Sequence, residues 1–430
     1  MRALRFGFLI GSVALIIGAT LLPFGEGPFG GMPAERIPPA WCLRCGDLWL
    51  TDAIANIALF VPFGFALALR SAQQRPISVP RAFFVSLALS VFVESMQSMG
   101  LPPGRSAAIA DLVTNTIGGG VGALLLRLLR TEASRSRAAS RWLAIGWSAL
   151  AMLVFTLSSR ALQPVDPTPP PGPLVLGKSP FGHVPGHGWY EGITDSAAVG
   201  EAAVSDTVVR RGWSGPIILE ASADRLPVTA AVWVRRTDPL SGQIPLLFVH
   251  VRGDSAAWLQ IAKNGDDAEL TVRRTAWRWG LHFPSIRLRH AFRGRTVGDT
   301  STLALRAQVT SQAIRLDRPG TPGATVSLAI TPLLGWSLIQ PVFTVQSPVA
   351  WLAQLGWMAC WLFPVGWWSM RAGGVRVAGA VSIGIMAFLG ALPWAFRLAP
   401  LGITEWSAVV VSLLGGVIGA RVYDRRVGPT

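Results

Sequence analysis

The sequence predicts a polytopic α-helical membrane protein of about eight spanning helices, with an all-β sandwich of jelly-roll-like type inserted outside the membrane. Three observations carry this. Apolar runs of about 17–25 residues recur, the length that crosses a hydrocarbon core of about 30 Å. Arginines gather in short clusters at the ends of those runs. Between residues 188 and 341 the apolar period shortens to two and turn residues intervene, the pattern of antiparallel strands.

Composition agrees. Of 430 residues only 14% are charged and 51% are hydrophobic, whereas soluble domains carry about 25% charged residues. Mean hydropathy is +0.44. A net charge of +15 raises nucleic acid as a partner, but no basic patch interleaved with aromatics is present, and nucleic acid is set aside. The charge lies instead at Arg2/Arg5, Arg70/Arg75/Arg81, Arg127/Arg130/Arg135/Arg137/Arg141, Arg371/Arg376 and Arg421/Arg425/Arg426. Such flanking clusters mark cytoplasmic loops. Three cysteines are too few for a disulfide scaffold.

Residues 1–160 read as a first membrane domain of five helices. Phe6 to Leu22 is longer than a signal-peptide core and lacks a small-x-small cleavage site at Leu22-Pro23-Phe24, so it reads as a retained helix. A Gly/Pro-rich loop from Pro23 to Trp49 follows. Helices are then expected over 52–69, 82–99, 108–129 and 142–158. Residues 161–187 form a Pro/Gly-rich linker. Within 188–341 strands are expected at 217–222, 228–235, 246–251, 257–262, 269–274, 285–289, 303–308 and 325–330. Asn264-Gly265 between two of them is a hairpin signal. Residues 342–430 add three helices, over 349–370, 377–396 and 403–420. Basic clusters after alternate spans put both termini in the cytoplasm and the β domain outside.

A polar constellation sits inside the apolar segments. Asp52 and Asn56 lie in the first turns of the second helix, Glu94 and Gln97 in the last turns of the third, Asp111 and Asn115 near the start of the fourth, and Arg105 in the turn between the last two. Each pair is spaced i,i+3 or i,i+4 and shares a helix face. Three carboxylates, three amides and a guanidinium therefore converge at one depth in the outer leaflet. Intramembrane ionisable groups mark function by default. The alternative is a self-satisfied network that pins helices together. One arginine does not neutralise three acids, which argues for a cation, a proton or an incoming polar ligand.

Asp52-x-x-x-Asn56-x-x-x-Phe60-x-Pro62-x-Gly64, Glu94-x-x-Gln97, Arg105 and Asp111-x-x-x-Asn115-x-x-Gly118-Gly119 resemble the VanZ-like membrane family over about residues 48–126. The resemblance implies a bacterial inner-membrane protein related to a factor for teicoplanin resistance, with Asp52, Asn56, Glu94, Gln97, Arg105, Asp111 and Asn115 as the family's polar positions. The family's biochemical activity is not established; the first reading of the site is contact with membrane lipids and with the head group of a lipid-linked glycan or cell-wall precursor, with a glycan-binding sandwich outside. The residues suit binding and acid–base chemistry alike, so catalysis is left open between an enzyme, a scaffold and an ion-coupled transporter. No cofactor or metal is expected.

Gly118 and Gly122, spaced GxxxG, predict close helix packing. Gly415 and Gly419 repeat the spacing and, with Arg397 and Glu405, echo the third and fourth helices, as a degenerate copy of that unit would. Cys42-Leu-Arg-Cys45 is open to a local disulfide, a zinc half-site without a second CxxC, a redox pair or free thiols. The β region resembles the concanavalin or laminin-G class in architecture. Trp277 and Trp279, two apart and flanked by arginines, are the candidates for stacking on sugar rings, although tryptophans on strands commonly belong to the core.

Overall fold

The structure, a computed structural model, describes residues 2–21, 41–43, 48–70, 78–101, 107–131, 136–164, 174–178, 182–184, 188–190, 193–199, 202–204, 217–219, 228–236, 243–251, 257–294, 301–339, 345–347 and 350–427. The chain begins with α1 (Arg2–Leu21), β1 (Trp41–Cys42), α2 (Trp49–Arg70), α3 (Val79–Ser98), β2 (Ala107–Ala108), α4 (Ile109–Thr131) and α5 (Arg137–Leu162). It ends with α6 (Ala350–Phe396) and α7 (Ile403–Val427).

Six described helices, α2 to α7, are long and apolar enough to cross a membrane, against the eight expected. The difference has two sources. The apolar part of α1, Phe6–Leu21, is shorter than the other six. The segments expected as two helices over 349–370 and 377–396 run into one helix of 47 residues. That helix is interrupted at Gly373 and Gly374, where Gly374 has φ 70° and ψ −161°, a conformation open to glycine alone. Ala372 O lies within 3.5 Å of Arg141 Nε at the start of α5, and Arg371 pairs with Asp424 near the end of α7 at 3.2 Å. Phe396 O, by contrast, accepts from Gln163 Nε2 just beyond the end of α5, at 3.0 Å. The two halves of α6 therefore double back along α5.

Strands β3 (Leu174–Lys178), β4 (Gly182–Val184), β5 (Gly188–Tyr190), β6 (Ile193–Val199), β7 (Ala202–Val204), β8 (Ile217–Leu219), β9 (Val228–Arg236), β10 (Gln243–Val251), β11 (Leu259–Asn264), β12 (Asp267–Val272), β13 (Ser285–Leu288), β14 (Leu303–Val309), β15 (Ala313–Asp317) and β16 (Thr325–Ala329) make up the β-rich region. One six-stranded sheet has the order β13-β12-β11-β10-β3-β8 and a second the order β16-β15-β14-β9-β6-β7. The eight strands expected are all present. Asn264-Gly265 makes the β11–β12 hairpin, with Gly265 at φ 58°. Strand β3 falls within the stretch whose prolines mark it as linker, yet it pairs with β10 and β8.

Alternation along β14 (Leu303, Leu305, Ala307 and Val309 inward) and the runs on β10 and β11 bury one apolar cluster shared by both sheets. Ala161 and Leu162 of α5, Ala350 of α6 and Leu398 join the same cluster. The helix ends are thus part of the β-domain core. A second cluster fills the α5–α6–α7 bundle and a third the α1–α4 bundle.

Candidate ligand pocket at the β-domain end of the helices

Helices α2 and α4 run parallel and meet backbone to backbone. A Cβ on Gly64 would overlap the Gly119 carbonyl oxygen, one on Gly118 the Ile57 carbonyl oxygen, and one on Gly122 the Val61 carbonyl oxygen. The GxxxG expectation at Gly118 and Gly122 is met by contact of this kind. Helix α3 closes the third side, where a Cβ on Gly119 would overlap Ser86 Oγ. This packing fixes the level of every polar side chain at the ends of the three helices.

Glu94 is 2% exposed, and its Oε2 accepts the Ala108 backbone N–H at 2.9 Å. That N–H lies at the start of α4, where helix dipole and unpaired donors favour an anion. Gln97, also buried, donates from Nε2 to the Thr20 carbonyl of α1 at 3.2 Å. Asn115 donates from Nδ2 to Ser90 Oγ on α3 at 3.0 Å. These three side chains tie α1, α3 and α4 together. Asp52 is exposed, while Asn56 and Asp111 are half-buried. Arg105 and Cys45 lie outside the described residues.

Above Glu94 a two-stranded parallel ribbon pairs Trp41 with Ala107 and Cys42 with Ala108. The Ala110 N–H adds a bond to the Leu43 carbonyl at 3.2 Å. Cys42 is disulfide-bonded, and Cys360 on α6 is a free thiol. The cysteine loop is therefore stitched onto the start of α4, directly over the buried carboxylate. Sequence reasoning missed Ser90 and Thr20 as partners. Ser90 stands four residues before Glu94 on the same face of α3, a spacing that signals it; Thr20 carries no such signal.

Residues 15–130 match the VanZ/LLP1 family model. This segment is a VanZ-like domain. It spans α1 to α4 and contains the whole polar set. No curated protein and no solved structure matches the chain.

The VanZ-like domain is docked to the β domain through α2. The first N–H groups of a helix have no partner within it. Here Leu50 and Thr51 donate theirs to the Gly280 carbonyl at 3.0 and 3.1 Å. Thr51 Oγ1 donates to the Leu338 carbonyl at 2.9 Å and accepts the His282 N–H at 2.7 Å. Gly280, at φ 66°, packs against the Trp49 indole with no room for a side chain. His282 is half-buried in the same junction, with Nδ1 3.0 Å from the Ser337 carbonyl. Burial pushes its pKa down, opposed by that hydrogen bond and by Glu269.

Trp277 and Trp279 belong to this junction. They lie on a 3-10 turn, Thr275–Trp279, and not on a strand, so spacing by two does not give them a common face. Trp277 lies under the Arg273 guanidinium, 4.9 Å from the ring centre, and packs edge-on against Phe283. Trp279 faces the membrane helices. With Leu50 and Ile54 of α2, Leu157 of α5, and Trp357 and Trp361 of α6, it lines an apolar cavity of about 710 Å³. Leu50 and Ile54 alternate with Asp52 and Asn56, so α2 has the cavity on one side and the polar set on the other.

Proposed function

We propose that this multi-pass VanZ-like cell-envelope protein binds the polar head of a lipid-linked cell-wall or polysaccharide precursor at the outer face of a bacterial inner membrane. The observation that carries the reading is a division within the polar set. Glu94 and Gln97 are buried and tie helices together, Asn115 gives its Nδ2 to the same task while its buried Oδ1 keeps no hydrogen-bond partner among the described residues, and Asp52, Asn56 and Asp111 keep surface. Acidic and amide groups held at a membrane interface suit hydroxyl and amide donors, as a glycan or peptide head group supplies them. The apolar cavity beyond α2 lies at the same level, one helix diameter of about 10 Å away, which a long isoprenoid chain spans. The family's link to glycopeptide resistance agrees with a cell-wall ligand.

The arginines support the sidedness. Arg81, Arg127, Arg137, Arg141, Arg371, Arg376 and Arg421 all stand at helix ends remote from the β domain, which the positive-inside rule assigns to the cytoplasm along with both termini. The β domain then faces outward. Its two six-stranded sheets support a concanavalin-like, glycan-facing role, on surfaces other than Trp279.

A second reading, a scaffold without ligand, draws on the bonds of Glu94, Gln97 and Asn115. Asp52→Asn and Asp111→Asn separate the two when membrane abundance and co-purifying lipid, identified by mass spectrometry, are measured together. Normal abundance with loss of a co-purifying lipid-linked glycan is expected. Normal abundance with an unchanged lipid profile, or none in the parent protein, returns the site to the scaffold.

A further inference from the structure

The two membrane bundles share a helix crossing in the same register. In the second bundle a Cβ on Gly366 would overlap the Leu413 carbonyl oxygen, and one on Gly416 the Phe363 carbonyl oxygen, 2.7 Å from Trp367 N. In the first, Gly64 meets the Gly119 carbonyl, and Gly122 meets the Val61 carbonyl, 2.7 Å from Phe65 N. One offset, 302, carries Val61, Gly64 and Phe65 of α2 to Phe363, Gly366 and Trp367 of α6. A second, 294, carries Gly119 and Gly122 of α4 to Leu413 and Gly416 of α7. The first offset also brings Pro62 onto Pro364, so both helices carry Pro-x-Gly at the crossing. In each bundle one helix doubles back between the parallel pair: α3 in the first, the second half of α6 in the second.

The same offsets place the polar positions. Asp111 falls on Glu405 and Asp52 on Gln354, while Asn56 and Asn115 fall on Met358 and Val409, both fully buried. Glu405 and Gln354 are not idle. Glu405 Oε1 accepts the Thr331 hydroxyl, and its Oε2 accepts the Gly402 N–H at 2.9 Å. Gln354 Oε1 accepts the Trp336 indole N–H at 2.6 Å, and its Nε2 donates to the Leu333 carbonyl at 3.2 Å. Ala399 N–H adds a bond to the Ile330 carbonyl at 2.9 Å. Every one of these β-domain partners lies between residues 330 and 336.

We propose that α6 and α7 are a second, degenerate copy of the α2–α4 unit, whose polar end has become the platform that holds the β domain through residues 330–336. The copy keeps two of the crossing glycines, Gly366 for Gly64 and Gly416 for Gly122, and one acid, while Ser412 and Leu413 stand for Gly118 and Gly119; it replaces two amides with apolar residues and turns what remains toward a segment of its own chain. The alignment by contact differs from the one the glycine spacing alone offers: Gly416, not Gly415 or Gly419, stands where Gly122 does.

Two measurements on the full-length protein in membranes test this. Gly122→Ala and Gly416→Ala are expected to lower abundance at least five-fold. Gly120→Ala and Gly415→Ala, whose added carbons stand 3.5 and 3.6 Å from flexible phenylalanine rings, are expected to leave it within two-fold. Tolerance of Gly416→Ala, or equal damage from Gly415→Ala, overturns the register. For the platform, Gln354→Leu with Glu405→Gln is expected to speed hydrogen exchange of the backbone amides of residues 334–339 at least ten-fold while α2–α4 amides are unchanged. Thr331→Ala, which leaves both helices intact, is expected to act in the same direction and more weakly. Unchanged exchange in both variants overturns the platform.

Discussion

The Glu94 carboxylate and the Ala108 backbone N–H, 2.9 Å apart, join the end of α3 to the start of α4 beneath the cysteine ribbon. A hydrogen bond to a charged group contributes about 1.5–3 kcal/mol, and an orphaned buried donor costs a similar amount. Glu94→Ala is therefore expected to lower unfolding stability in detergent by about 2 kcal/mol, and Glu94→Gln, which retains an acceptor, by less. Equal stability of Glu94→Ala and the parent would remove Glu94 from the fold and return it to the ligand group.

The Thr51 hydroxyl adds two side-chain bonds to the backbone bonds that join the two domains. Thr51→Val keeps the shape and deletes both a donor to Leu338 and an acceptor for His282. A loss of about 1–3 kcal/mol is expected at the junction, read as faster protease cleavage between the β domain and the helices. Cleavage at the parent rate would show that the apolar contacts of Trp49 and Leu50 suffice.

His282 makes the junction sensitive to acid. Its folded pKa is depressed, chiefly by burial, so the unfolded chain binds the proton more readily. The contribution of His282 to stability is whole above the unfolded value of about 6.5 and is lost as pH falls below it. Thermal unfolding between pH 7.5 and 5 is expected to show this decline, and His282→Gln is expected to flatten it. An identical slope in the variant would assign the decline to other groups.

Arg274 is fully buried, and Nε, Nη1 and Nη2 have no hydrogen-bond partner among the described residues. Burial lowers its pKa to about 10. Replacing such a cation with an apolar side chain of similar volume is commonly neutral or stabilising. Arg274→Met is expected to match or exceed the parent in melting temperature; a drop of several degrees would contradict an unpaired guanidinium.

The membrane character was legible because a bilayer imposes length and arginine placement on any helix that crosses it. The polar set was legible because Asp52, Glu94 and Asp111 are costly where they stand. What each residue does was not. Glu94 and Asp111 look alike in sequence, and only the arrival of the Ala108 N–H makes one a pin. Strand β3 was masked by the prolines and glycines around it, although its own residues are apolar. Trp277 and Trp279 lie on a 3-10 turn, where spacing by two does not define a face as it does on a strand. The break at Gly373-Gly374 was legible, since it falls in the gap between the helices expected at 349–370 and 377–396.

Helix α2 is held at its first turn by the Gly280 carbonyl and, from Ile57 to Phe65, by the glycines of α4. The span between, from Leu50 to Ile57, is about two turns, or about 10 Å, of stiff rod. Pro62, which lacks the N–H that would brace Ala58, lies within the gripped stretch, so the segment that carries Asp52 and Asn56 is unbroken helix. Mechanically this is a lever. Asp52 and Asn56 stand on this short arm as one piece, with Asp111 on the neighbouring helix. The separation of the two acids is therefore set by how the first turn of α2 seats on Gly280.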